Sequence, residues 1–285
     1  MNTAHIIGAP GKRPIEKEAG MLKIDNLVCR IGNRPIIDHI STVFEAGLLH
    51  VIVGPNGSGK STFLKAFSGE LTPESGTIRY DDVLLAHTHK TELARRRAVM
   101  SQLPELHFPL SVDEIVMMGR YPHFSFQPSK KDRDICQEAM NRLSVHSLSG
   151  RDYLTLSGGE RQRVQFARAL AQVWEPPEKG SRYLFLDEPV SSLDIHYQHQ
   201  FLQLIRSLVR ENIVLIAVLH DLNLALQYAD RMIFLKEGRV AAEGTTPGIV
   251  SPSLIREVFD IAAHVMENPY GRSPVIVYTD PAPRQ

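Results

Sequence analysis

The sequence predicts an α/β protein: a mixed, mostly parallel sheet flanked by helices, with an all-helical subdomain inserted into it. Three observations predict this. Short apolar runs alternate with helix-length amphipathic segments. A glycine-rich loop stands between one such run and the next helix, Gly54 to Ser61. Between about residues 103 and 165 the strands stop, and Pro104, Pro109, Pro122 and Pro128 punctuate a set of helical pieces.

Residues 1–20 carry only one apolar pair, Ile6-Ile7, followed by charges. They read as a flexible tail without a signal-peptide core. The alternating pattern opens at Met21, a second candidate start. LKIDNLV, PIIDHISTVF and LLHVIVG follow as strands, the last continuous enough for a buried one. STFLKAFSGE reads as a helix, TIRY and VLL as a strand pair, and ARRRAVMSQ as a strand ending at Gln102. In the insert, VDEIVMMG and KKDRDICQEAMNRL are helical, as is GERQRVQFARALAQVW beyond it. RYLFLDEP is a strand, HYQHQFLQLIRSLVRE a helix, NIVLIAVLHD a strand and LNLALQYA a helix. DRMIFLKEGRVAAEG forms a hairpin turning at Glu237-Gly238, and residues 246–285 are a mixed extension expected to pack on the core.

Composition narrows the function. The 285 residues are 43% hydrophobic, enough for a substantial core and more than one lobe. Lys plus Arg (32) balances Asp plus Glu (32), which gives no electrostatic reason to expect nucleic-acid binding. Cys29 and Cys136 are far apart with no CxxC spacing, against a disulfide framework or a zinc site. No run reaches the roughly 20 apolar residues of a membrane span.

The chemistry sits in two motifs. Gly54-Pro55-Asn56-Gly57-Ser58-Gly59-Lys60-Ser61 matches G-x-x-x-x-G-K-[ST] between a strand and a helix. Its backbone N–H groups can cradle phosphates at a helix N-terminus, with Lys60 reaching the β- and γ-phosphates and Ser61 ligating Mg²⁺; Thr62 follows in the same turn. Tyr183-Leu184-Phe185-Leu186 delivers Asp187 and Glu188 to a strand's C-terminal end, where ligands bind in such sheets. Asp187 fits the Mg²⁺-side carboxylate, and Glu188 is placed to orient or deprotonate an attacking water. Together these define a P-loop NTPase with a RecA-like core.

Leu156-Ser157-Gly158-Gly159-Glu160 followed by RQR closely resembles the signature of ATP-binding cassette ATPases. The resemblance covers about residues 21–245. It implies that Ser157, Gly158 and Gly159 bind the γ-phosphate held by a second copy, so that ATP is sandwiched in a homodimer. It implies that Gln102 contacts Mg²⁺ and the water, that Ser191-Ser192-Leu193-Asp194 communicates across the dimer, and that His220 touches the γ-phosphate. Ile31 stands where the family often stacks an aromatic on the adenine, which predicts loose base selectivity. Val190 stands where a Thr is frequent, with little effect expected.

A standalone cassette resembles an importer subunit at the cytoplasmic face of a bacterial inner membrane. Its implied partners are two copies of a permease and, indirectly, a periplasmic binding protein, with no nucleic acid. SQLPELHFPLSVDEIVMMGRYPHF, with its V-x-x-G-R-x-P pattern, is similar to iron-siderophore, cobalamin and haem importer cassettes. Together with the loop Glu175–Ser181 it stands nearest the haem group; siderophore or cobalamin import is the alternative, and a soluble non-transport ATPase the remote one. Leu106, Phe108, Leu110, Met117, Met118 and Tyr121 are candidates for the permease surface or for the lobe's core. Arg95-Arg96-Arg97 and His87-Thr88-His89 read as solvated segments.

Overall fold

The structure is a computed structural model, and it describes residues 20–101, 109–209 and 212–279. The expected tail, together with Gln102, Leu106 and Phe108, lies outside them.

A six-stranded sheet forms the centre. Its order is β10 (Arg239–Thr245), β9 (Arg231–Lys236), β3 (Leu49–Val53), β8 (Ile213–Val218), β7 (Arg182–Asp187) and β6 (Arg97–Met100). β9 through β6 run parallel, and β10 pairs antiparallel at the edge through the Glu237-Gly238 turn. The middle strands are apolar on both faces because both are covered. Leu184, Leu186, Leu215 and Ala217 face one cluster of buried side chains, while Tyr183, Phe185, Val214 and Ile216 face another.

The second cluster lies under an antiparallel sheet ordered β2 (Arg34–Glu45), β1 (Met21–Ile31), β4 (Ser75–Tyr80) and β5 (Val83–Leu84). Helix α1 (Lys60–Ser68) inserts between the sheets. Phe63 and Phe67, one turn apart, pack edge to face with centroids 5.0 Å apart, and Phe67 meets Phe185 at 4.9 Å.

The first cluster lies under the helical layer: α3 (Val112–Met117), α4 (Lys130–Arg142), α5 (Gly158–Gln172), α6 (Ile195–Leu208) and α7 (Leu222–Tyr228). Capping boxes at Ser111/Glu114, Ser129/Asp132 and Ser157/Glu160 start three of these helices. The C-terminal extension contributes α8 (Pro252–Phe259) and a hairpin of β11 (Ala263–Met266) and β12 (Val275–Tyr278), which bury Ile255, Val258 and Ile276 in the same cluster.

Two joints fix the helical layer. The Gln172 carboxamide at the end of α5 donates to Ala94 O at 2.8 Å and Arg97 O at 2.9 Å, tying α5 to the edge of the central sheet. The second joint is Arg120, 1% exposed, in the 3₁₀ segment Met118–His123. Its guanidinium donates to Asp132 at 2.9 Å, Ala171 O at 2.8 Å and Glu175 at 2.6 Å. Gly119 is fixed by contact: a Cβ there would lie 2.2 Å from Arg168 O of α5. The V-x-x-G-R-x-P pattern is thus a packing joint.

Two expectations are corrected. ARRRAVMSQ is not one strand: α2 (Lys90–Arg96) takes its first three residues and β6 only Arg97–Met100. Lys, Glu, Leu, Ala and Arg favour a helix, and His89 Nδ1 caps it by accepting from Thr91 N. Nor is the whole arginine run a solvated face: Arg95 is exposed as expected, but Arg96 and Arg97 are half-buried. Arg96 is half-buried and paired with Asp81 at 2.5 Å, and Arg95 Nε donates to Pro122 O at 2.8 Å. In the insert Leu110, Met117 and Met118 pack against the core, whereas Tyr121 is 58% exposed.

Candidate active site

The phosphate-type loop follows the buried end of β3. Gly59 has φ +102°, a backbone that favours glycine, and it is also crowded: a Cβ would stand 2.9 Å from Ile36 O and 3.0 Å from the Ile37 side chain. The loop is held from outside, where Gly238 N donates to Ser58 O at 3.0 Å and Asp38 N donates to Gly238 O at 2.9 Å. α1 begins at Lys60 with no side-chain cap, so its first N–H groups face the loop. Lys60, 6% exposed, donates to Gly54 O at 2.9 Å and Pro55 O at 3.0 Å. Burial draws its ammonium below the ordinary lysine range, opposed by the charges of Glu188 and Asp187. Ser58 Oγ is buried with no hydrogen-bond partner among the described residues, a donor suited to a phosphate oxygen. Asn56 and Gly57 are exposed at the loop tip, Pro55 is half-buried, and Thr62 is half-buried on the first turn of α1.

The acidic side hangs from β7. Ser61 Oγ donates to Asp187 Oδ1 at 3.4 Å, so two hard oxygen donors meet beside the loop. Burial pushes the Asp187 carboxyl above its usual range, against the Ser61 hydrogen bond. This donor set fits Mg²⁺. Glu188 adopts φ +52°, a left-handed backbone for a non-glycine residue. Ser191 N and Oγ both donate to Glu188 O, at 3.3 and 3.1 Å. His220, at the end of β8, brings Nε2 to 2.5 Å from Glu188 Oε1. The ends of β3, β7 and β8 and the loops after them therefore deliver Lys60, Asp187, Glu188 and His220 to one edge of one sheet.

Ser157, Gly158 and Gly159 form the N-terminus of α5 on the helical layer. Ser157 and Gly158 are exposed. Ser157 Oγ accepts from Glu160 N at 3.3 Å, so within one chain it is a helix cap. Asp194 also caps a helix, accepting from Tyr197 N at 3.0 Å at the start of α6. Ile31 is 61% exposed at the tip of the β1–β2 hairpin. Gln102 is not among the described residues. Val190 is buried.

The sequence reading missed Gln162 and Gln198. Gln162, on α5, donates to Pro189 O and accepts from Ser192 Oγ at 2.6 Å. Gln198, on α6, donates to Val190 O at 3.2 Å and Leu193 O at 3.0 Å. These amides clamp the segment after Glu188. The only signal in the sequence was a glutamine inside each amphipathic helix.

A family model described as ABC transporter matches residues 37–191, more than half the chain. The chain belongs to the ABC transporter ATPase family. This cassette is 41% identical to the hemin import ATP-binding protein HmuV of Escherichia coli O157:H7, over 90% of this chain and 99% of that protein. It is equally 41% identical to the HmuV of Gloeobacter violaceus, over 90% of this chain and 94% of that protein. Among solved structures it superposes on an inward-facing metal-chelate type ABC transporter with TM-score 0.78 and 25% identity, covering 92% and 98% of the two chains. It also superposes on a dimeric ATP-binding cassette bound to ADP and phosphate, with TM-score 0.68 and 25% identity, covering 79% and 98%. As a member of the family the cassette binds and hydrolyses ATP. Among the described residues no helix is long and apolar enough to cross a membrane.

Proposed function

We propose that this cassette is the motor of a bacterial haem importer, working as a homodimer on two copies of a separate permease at the cytoplasmic face of the inner membrane. A periplasmic binding protein would deliver the cargo to the permease. The single observation that carries the cargo is the shared name of the relatives, hemin import ATP-binding protein, at 38–41% identity over nine-tenths of the chain. The likeness to a metal-chelate type transporter supports siderophore or cobalamin as the second reading.

In this reading the Gly54–Ser61 loop and Thr62 hold the triphosphate, with Ile31 beside the base. Ser61, Asp187 and Gln102 would hold Mg²⁺, which supplies positive charge against the phosphate oxygens. Ser157, Gly158 and Gly159 of a second copy cap the γ-phosphate, and Asp194 lies in the segment between the two sites. Glu188 accepts a proton from water as its oxygen attacks the γ-phosphorus in line and the bond to the ADP oxygen breaks. Lys60 and His220 stabilise the charge on the transferring group. His220 Nε2 lies 2.5 Å from Glu188 Oε1, which supports the two acting together.

Glu188→Gln tests the site. It should keep ATP binding, lose turnover by at least about 100-fold and accumulate an ATP-bound dimer in size-exclusion chromatography. Normal turnover in that variant would overturn the assignment. Cargo is tested by complementing a strain that lacks its haem-importer ATPase. Growth on haem is expected; rescue of siderophore or cobalamin uptake instead would favour the second reading.

A further inference from the structure

We propose that Asn223 is a positioning residue through which the C-terminal β-hairpin holds the His220–Glu188 pair in register. The inference rests on the reading above that this pair acts in hydrolysis.

α7 has only seven residues, too few to be stable by itself, so its direction is set by the packing of Leu222, Leu224, Ala225 and Leu226 in the large cluster and by tethers at its two ends. At its far end Tyr228 is held by His199, 2.7 Å from its hydroxyl, and by Arg206, which donates to its carbonyl at 2.5 Å. At its near end Asp221 caps the first turn, accepting from Asn223 N at 2.7 Å and Leu224 N at 3.0 Å. That cap is internal to the segment and fixes nothing outside it. The external tether is the Asn223 carboxamide, which treats β12 as a strand would. Its Oδ1 accepts from Ile276 N at 2.8 Å and its Nδ2 donates to Ile276 O at 3.2 Å. Ile276 is buried in the large cluster, so the residue gripped is itself immobile. On the other side, Leu219 N is fixed to Ile52 O at 3.2 Å. His220 and Asp221 therefore span a short bridge between the central sheet and a helix whose first turn is pinned by the C-terminal hairpin.

A carboxylate 2.5 Å from an imidazole tolerates little drift, and misplacement by about 1 Å can cost on the order of 100-fold in rate. The C-terminal extension thus contributes to turnover at a distance and need not touch nucleotide.

The experiment compares the full chain with Asn223→Leu, which keeps the branched shape and loses both bonds, and Asn223→Asp, which keeps the acceptor and loses the donor. Steady-state kinetics are normalised to the folded fraction. Asn223→Leu should lower kcat about tenfold and Asn223→Asp about threefold, with KM for ATP within twofold of the parent. In a Glu188→Ala background, Asn223→Leu should cost clearly less than in the parent, about threefold or under, because the pair it positions is gone and only the contact of His220 with the phosphate is left to disturb. Parental kcat in the folded Leu variant, or losses equal in both backgrounds, would overturn the proposal. If the Leu variant fails to fold, a parental kcat in Asn223→Asp does the same. Glu188→Gln separates the two failures: full turnover there sinks the assigned site, whereas an inert Glu188→Gln beside a full-speed Asn223→Leu sinks only this inference.

Discussion

Replacing Arg120 with Met should destabilise the fold while leaving the phosphate loop untouched. The guanidinium is buried and serves three acceptors: Asp132, Ala171 O and Glu175. Met fills most of the volume but satisfies none of them. The main cost is Asp132, whose side chain is 7% exposed and would stay buried without its cation. Burial alone would raise the Asp132 carboxyl, but the Ser129 hydrogen bonds and Arg120 outweigh it and hold it below its usual range. A carboxyl lowered in the folded state stabilises above the ordinary carboxylate pKa, and that contribution disappears as pH falls through the lowered value. Breaking a buried pair by removing one partner costs about 3–5 kcal/mol. Asp132 keeps its Ser129 bonds and Glu175 keeps Lys131, so the lower end, about 3 kcal/mol, is expected. For a chain of this size that is a fall in Tm of roughly 10 °C. Differential scanning calorimetry of the parent, Arg120→Met, and Arg120→Met with Asp132→Asn decides the matter. The double variant should regain part of the loss because the stranded charge is gone. A single variant melting within about 1 °C of the parent would refute the account.

Three further outcomes are expected. Ser157→Arg should block hydrolysis with ATP binding retained if, as proposed, the tip acts on the other copy's nucleotide; full-rate hydrolysis by a monomeric variant would contradict the sandwich. Ile31→Tyr should lower KM for ATP and for GTP alike by about fivefold, a stacking contribution on the order of 1 kcal/mol, read from steady-state kinetics with each nucleotide. His50 should make stability fall on mild acidification. Burial pushes its imidazole down to about 4, and Nε2 stands 3.0 Å from the donating Glu45 N. The unfolded chain binds a proton there at higher pH, so stability present above about pH 6.5 drops by up to about 3 kcal/mol as pH falls toward 4. Urea midpoints of the parent and His50→Gln across that window check it, the variant being flatter.

Much of the site was legible because its residues stand at fixed spacings on elements with strong local signatures. β3, β7 and β8 are continuous apolar runs, and each ends in the residues that carry the chemistry. The edge of the sheet was less legible. Arg95–Arg97 straddles a helix and a strand, and only the Asp81 partner, far off in sequence, decides which side chain is withdrawn from water. Gln162 and Asn223 were invisible for a related reason. They bond to backbone groups of Pro189 and Ile276, and a backbone carbonyl has no letter in the sequence. Arg120 stood inside a visible pattern, but its work there depends on α4 and α5 folding around it.

The amide of Gln172 gives α5 a fulcrum. Its 15 residues span about 22 Å from that anchored end to the Ser157 tip. A tilt of roughly 5° about the anchor swings the tip by about 2 Å, more than separates a made hydrogen bond from a broken one. Small rotations of the lobe at the sheet edge would thereby be magnified where two copies would meet, and the Gln162 bonds to Pro189 O and Ser192 would carry the same motion to the segment after Glu188.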